Sequence, residues 1–134
     1  MTLPTPFVGS DTSLKALVAD DDGDMRLLIA TAFRRAGFEV HEAANGNELQ
    51  ASFAAHATAR TVVVSDIGMP ECGGIEATIA LRKVAPLAVI LLVTAFADAA
   101  LVREAREAGA AHVLHKPLDM AALVQTARSL LTAQ

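Results

Sequence analysis

From Lys15 onward, short apolar runs alternate with stretches in which apolar residues recur at helical spacing. Ala16-Leu17-Val18-Ala19 is apolar throughout and stops at Asp20, which predicts a strand buried on both faces. Met25, Leu28, Ile29, Ala32, Phe33 and Ala36 then fall on one helical stripe, closed by Gly37. Phe38 to Glu42 reads as a weaker strand, and Asn45-Gly46 leads into a helix whose buried stripe includes Leu49 and Phe53. Thr61 to Ser65 is the clearest strand, β-branched almost throughout, and it ends at Asp66. A loop holding Gly68, Met69-Pro70, Gly73 and Gly74 precedes a helix from Ile75 to about Val84. Pro86 leads into a fourth strand over Ala88 to Val93, and a helix from Asp98 to Ala108 stops at Gly109. His112 to His115 makes a short fifth strand, and Met120, Leu123, Val124, Ala127, Leu130 and Leu131 share one stripe of a last helix.

Five β–α units in a row, with strands apolar on both faces, imply a parallel sheet covered by helices on each side. Right-handed crossovers leave few ways to wind them, and the doubly wound, flavodoxin-like (βα)5 fold with strand order 2-1-3-4-5 is the expectation. Residues 1–14 hold two Pro and one Gly among Ser, Thr and Asp, which reads as a flexible leader before a single domain over 15–134.

Composition narrows the class. The chain has 134 residues, enough for one domain and too few for two. It is 53% hydrophobic but only 4% aromatic, without Trp or Tyr, so Val, Ile, Leu and Ala must build the core. Eleven basic against fifteen acidic residues give a net charge of −4, which argues against a nucleic-acid binder. A single cysteine, Cys72, excludes a disulfide framework and a thiolate metal site. The longest apolar run, Leu87 to Val93, is too short to span a bilayer, and the first fifteen residues lack the layout of a secretory signal. A soluble cytoplasmic protein is expected.

In an open parallel sheet, ligands bind beyond the carboxyl ends of the strands, so the residues just after each strand carry the chemistry. Asp20, Asp21, Asp22 and Asp24 follow the first, Asp66 the third, Thr94 the fourth and Lys116 the fifth. Carboxylates forced together repel unless a cation neutralises them, and a hard divalent ion with oxygen ligands, Mg²⁺, answers that need. A hydroxyl and a lysine beside such an ion suit phosphoryl transfer, with an aspartate as nucleophile forming an acyl phosphate. Asp24 reads as a cap of the first helix and Asp22 as a solvated side chain. His112 and His115, three apart on a strand, face opposite sides and make poor joint metal ligands.

The motifs ALVADDDGDMR, VVVSDIGMPECGGIE, LLVTA and HVLHKPL, in this order, resemble the receiver domain of two-component response regulators over residues 15–133. The resemblance implies that Asp20 and Asp21 hold Mg²⁺, with Asp66 and the backbone carbonyl of Gly68 completing the protein ligands. It implies that Asp66 accepts a phosphoryl group from a histidine kinase or a phosphorelay histidine phosphotransfer protein, that Thr94 is the switch hydroxyl, and that Lys116 is the site lysine. It also suggests a cis peptide between Lys116 and Pro117. The expected effector surface, again by resemblance, is the face of the fourth helix, fifth strand and fifth helix, with no direct contact to nucleic acid or membrane. On this reading the chain is a signalling phosphoacceptor, not an enzyme; if complete, it signals through protein contacts or passes the phosphate onward.

Three positions depart from the family pattern: Val113 stands where the fifth strand usually has an aromatic, Gly68 has no side chain, and Phe96 is apolar. Two rival readings remain. In a haloacid-dehalogenase-type phosphohydrolase, Asp20 would be the nucleophile and Asp22 the acid/base, which leaves Asp66 unexplained. In a receiver-like binding module, the fold would be kept without phosphorylation.

Overall fold

The computed structural model describes residues 13–133. Five strands and five helices alternate as β1 (Lys15–Ala19), α1 (Gly23–Arg35), β2 (Glu39–Ala43), α2 (Gly46–His56), β3 (Thr61–Asp66), α3 (Gly74–Val84), β4 (Val89–Thr94), α4 (Ala99–Ala108), β5 (His112–His115) and α5 (Met120–Thr132). All strand pairs are parallel and the order is β2-β1-β3-β4-β5, the flavodoxin-like winding expected from the alternation. The expected leader falls, over residues 1–12, outside the described residues.

Two-faced burial of the strands divides the core into two layers. Ala16, Val18, Val62, Val64, Val89, Leu91 and Val93 face α1 and α5, where Ile29 and Phe33 meet Leu123, Ala127 and Leu131. Leu17, Ala19, Val63, Ile90 and Leu92 face the opposite way, toward Leu49 of α2, Ala77 and Leu81 of α3, and Ala105 of α4. Rings are few, and two of them meet edge-to-face: Phe33 and Phe38 lie 5.0 Å apart, with the Arg128 guanidinium over Phe38.

Two expectations for α1 need correction. Leu28, assigned to the buried stripe, is 57% exposed beside Leu27. The stripe that packs is Ile29, Ala30 and Phe33, because the helix leans on the sheet one residue further round. Asp24 does not cap the helix. Asp22 is the N-cap, and its carboxylate accepts from the Asp24 and Met25 amides at 3.0 and 3.2 Å.

Glycine matters most where the loop after β3 turns back under its own strand. A Cβ on Gly74 would lie 2.3 Å from the Asp66 carbonyl oxygen, and one on Gly46 would lie 2.6 Å from that of Cys72. The amides of both glycines use this closeness, Gly74 donating to Ile67 at 3.0 Å and Gly46 to Cys72 at 2.8 Å. Helix α3 can therefore begin directly beneath Asp66.

Candidate functional site

Four strand ends converge at the carboxyl edge of the sheet. Asp20 and Asp21 follow β1, Asp66 ends β3, Thr94 ends β4, and Lys116 follows β5. The register aligns them, with Ala19 opposite Ser65, Asp66 opposite Val93 and Thr94 opposite His115. The Lys116 amide extends this order by donating to the Thr94 carbonyl at 2.8 Å.

One carboxylate oxygen from each of Asp20, Asp21 and Asp66 lies within 4.8 Å of the other two. Lys116 lies between two of them: its Nζ is 3.2 Å from Asp20 Oδ2 and 3.3 Å from Asp66 Oδ1. Asp20 is 1% exposed, and its other carboxylate oxygen accepts from the Asp22 amide at 2.9 Å. Asp21 is exposed, and Asp66 is intermediate. Gly68 flanks the pocket, since a Cβ there would stand 4.0 Å from Asp66 Oδ2.

The charges are unequal. Burial, then the negative charge of Asp20, pushes the Asp66 carboxyl above its usual range, and Lys116 offsets only part of this. For Lys116, burial pulls down, but Asp66 and Asp20 together outweigh it and the ammonium is held above its ordinary value. One ammonium cannot neutralise three carboxylates. The donor set left facing outward is all hard oxygen, which fits a small divalent cation and Mg²⁺ in particular.

Thr94 is buried, and its hydroxyl accepts from the Phe96 amide at 3.0 Å. Phe96 itself is 79% exposed. Val113, at the expected aromatic position, is partly buried and packs on the second core layer opposite Leu92. The Lys116–Pro117 peptide is cis, as the resemblance suggested.

Asp20, Asp21, Asp66, Thr94, Lys116 and Gly68 are thus gathered at one edge, whereas Asp22 and Asp24 are not in the carboxylate cluster. Two contributors were missed from sequence. Arg26 donates to the Asp20 carbonyl at 2.9 Å, and Gly74 allows the backbone beneath Asp66 to close up. A Gly-Gly pair just before a helix is the signal that could have marked the close approach at Gly74; Arg26 carries none, because its second partner, Glu42, comes from a neighbouring strand.

A doubly wound parallel sheet with an acidic pocket and a bridging lysine at its carboxyl edge defines an α/β protein of the receiver class. The response regulator receiver domain model matches residues 16–128, and the chain belongs to that family. It is 34% identical over 112 residues to the chemotaxis protein CheY of Thermotoga maritima, covering 83% of this chain and 92% of that one. It is 35% identical over 127 residues to the transcriptional regulatory protein PdtaR of Mycobacterium tuberculosis, covering 92% of this chain but only 60% of that protein's length. Among solved structures it is similar to the CheX–CheY–BeF3–Mg²⁺ complex from Borrelia burgdorferi, with TM-score 0.79, 26% identity, and coverage of 87% of this chain and 88% of that one. Receiver domains interact with histidine kinases and effectors, and they bind Mg²⁺ at an acidic pocket. Among the described residues no helix is long and apolar enough to cross a membrane.

Proposed function

We propose that this chain accepts a phosphoryl group on Asp66 from a histidine kinase or a histidine phosphotransfer protein, in the cytoplasm, and relays or signals that state by protein contact. The observation that carries this reading is Lys116 held between Asp20 and Asp66, with Asp21 alongside, at the mouth of the sheet. An Asp66 carboxylate oxygen attacks the phosphorus of a phosphohistidine; the P–N bond breaks as the P–O bond forms, and the imidazole leaves. Lys116 neutralises phosphoryl oxygen charge, and the Thr94 hydroxyl, at the end of the adjacent strand, donates to a phosphoryl oxygen once the group is in place. Asp20, Asp21, Asp66 and the Gly68 carbonyl would hold Mg²⁺, which supplies charge neutralisation for the transferring group. The similarity to a receiver complex that contains BeF3 and Mg²⁺ supports this assignment.

The chain acts as a phosphoacceptor rather than as a turnover enzyme. Effectors meet the face of α4, β5 and α5, where Val113 replaces the usual aromatic, so the response of Thr94 must reach that face by backbone and loop movement. Against the hydrolase reading, Asp22 caps α1 through Oδ1 and stands outside the carboxylate cluster that holds Asp20 and Asp66. Intact mass after incubation with Mg²⁺ and a small acyl-phosphate donor tests the proposal. One added phosphoryl group is expected in the wild type, none in Asp66→Asn, and a slower gain in Asp20→Asn. Phosphate turnover that depends on Asp20 and survives Asp66→Asn would instead establish the hydrolase.

A further inference from the structure

The main chain of Asp20 is fastened to strand β2 from both sides. Its amide donates to the Ala43 carbonyl at 3.1 Å, while its carbonyl accepts from Arg26 Nη1 at 2.9 Å. The same guanidinium uses Nε to meet Glu42 Oε1 at 3.2 Å, and Arg34 holds the other Glu42 oxygen at 3.0 Å. Two consecutive residues of β2, an edge strand, therefore clamp one aspartate of β1's outgoing turn, one directly and one through Arg26.

We propose that Arg26, anchored by Glu42, is a positioning residue that fixes the turn carrying Asp20 and Asp21 in the geometry needed for divalent-cation binding. The inference rests on the Mg²⁺ assignment above. It differs from a simple charge effect, and the two make opposite demands. A positive group near a cation site weakens binding by repulsion, so removal of its charge alone should tighten Mg²⁺. A brace acts through the fork of the guanidinium, which gives two donors in fixed geometry to two acceptors at once. A lysine keeps the charge but cannot span the Asp20 carbonyl and the Glu42 carboxylate in that way. Glu42 is shared by Arg26 and Arg34 and offsets only part of the Arg26 charge, so Arg26→Lys, which keeps that charge and loses the fork, separates geometry from electrostatics.

The turn offers a readout that needs no metal. The Asp22 amide is bonded to Asp20 Oδ1, so its hydrogen exchange reports whether the turn holds its shape. Arg34 serves as the control, because it shares Glu42 and touches nothing in the turn. The experiment compares wild type, Arg26→Lys, Arg26→Gln and Arg34→Gln. It measures Asp22 amide exchange in EDTA by NMR, Mg²⁺ affinity by calorimetry, and thermal unfolding as a check on the global fold. Both Arg26 variants should accelerate Asp22 exchange without a matching loss of global stability. Both should weaken Mg²⁺ binding by about 10-fold, the low end for residues behind metal ligands. Arg34→Gln should stay within about twofold of wild type, as befits an exposed pair. Wild-type exchange and affinity in Arg26→Lys, or tighter Mg²⁺ binding in Arg26→Gln, overturns the proposal. If wild-type protein binds no Mg²⁺, the metal assignment fails, and the exchange arm still decides whether Arg26 braces the turn.

Discussion

Removal of the Asp66 charge should stabilise the metal-free protein. Carboxylate repulsion, attraction to Lys116 and burial set the sign. Asp66 shares a 4.8 Å cluster with Asp20 and Asp21, and at an effective dielectric of about 20 a pair at that distance repels by roughly 3.5 kcal/mol. Water screens the exposed Asp21, so its share is a fraction of that figure. Lys116, 3.3 Å from Asp66, returns roughly 5 kcal/mol on the same scale. The pairwise charges nearly cancel, so burial of the carboxylate decides the sign. Burial is also the first cause of the raised Asp66 carboxyl, ahead of Asp20. Asp66→Asn keeps the shape and removes the desolvated charge, for an expected gain of about 1–2 kcal/mol in EDTA. For a chain of this size that corresponds to a rise of roughly 3–8 °C in Tm.

Circular dichroism suits the measurement, since the chain has no Trp or Tyr for fluorescence. Acidity supplies a second check. A carboxyl raised in the folded state contributes stability that is present below its unfolded range and is lost as pH rises through the folded value. Wild type should therefore gain on Asp66→Asn as pH falls, and the gap in Tm should narrow. Saturating Mg²⁺ should act in the same direction, stabilising the wild type by about 2.7 kcal/mol at 100 times its Kd and the variant by less. An Asp66→Asn Tm in EDTA equal to or below wild type, or a gap that persists unchanged into acid, would rule out a net desolvation cost at Asp66.

Asp22→Ala removes the side-chain cap of α1 and should cost about 1 kcal/mol in urea unfolding, whereas exposed Asp24→Ala should cost a few tenths. Gly74→Ala places a methyl against the Asp66 carbonyl, which is backbone and cannot swing aside. It should destabilise by about 2 kcal/mol or more despite alanine's better helix propensity, and a wild-type urea midpoint would contradict this. Gly68 and Phe96 flank the site without a polar side chain to orient an attacking water. Gly68→Asn with Phe96→Glu should therefore shorten the lifetime of phosphorylated protein, followed by the decay of the added mass; an unchanged lifetime would sink that idea.

Alternation and periodicity carried the fold in the sequence, because strands apolar on both faces have no stable arrangement other than the middle of a covered parallel sheet. Asp20, Asp66, Thr94 and Lys116 were legible as the polar residues at or just beyond the carboxyl ends of those strands, where an open parallel sheet collects its chemistry. What periodicity could not resolve was rotation and local geometry. Leu28 and Ile29 are equally apolar, and only docking against the sheet turned Ile29 inward and left Leu28 in water. Asp22 and Asp24 are the same residue type, and only the dihedral angles of the chain entering α1 chose Asp22 as cap.

Apolar periodicity sets the succession of elements, the sheet edge at which chemistry collects, and the kinds of groups brought there. Packing set the pairings across the chain: Lys116 to Asp20 over 96 positions, and Arg26 of α1 to Glu42 of β2 over 16. These contacts are made by side chains whose separation along the chain says nothing of their distance; the parallel register aligns the strand ends that carry Asp20 and Lys116, and the docking of α1 on the sheet brings Arg26 to Glu42.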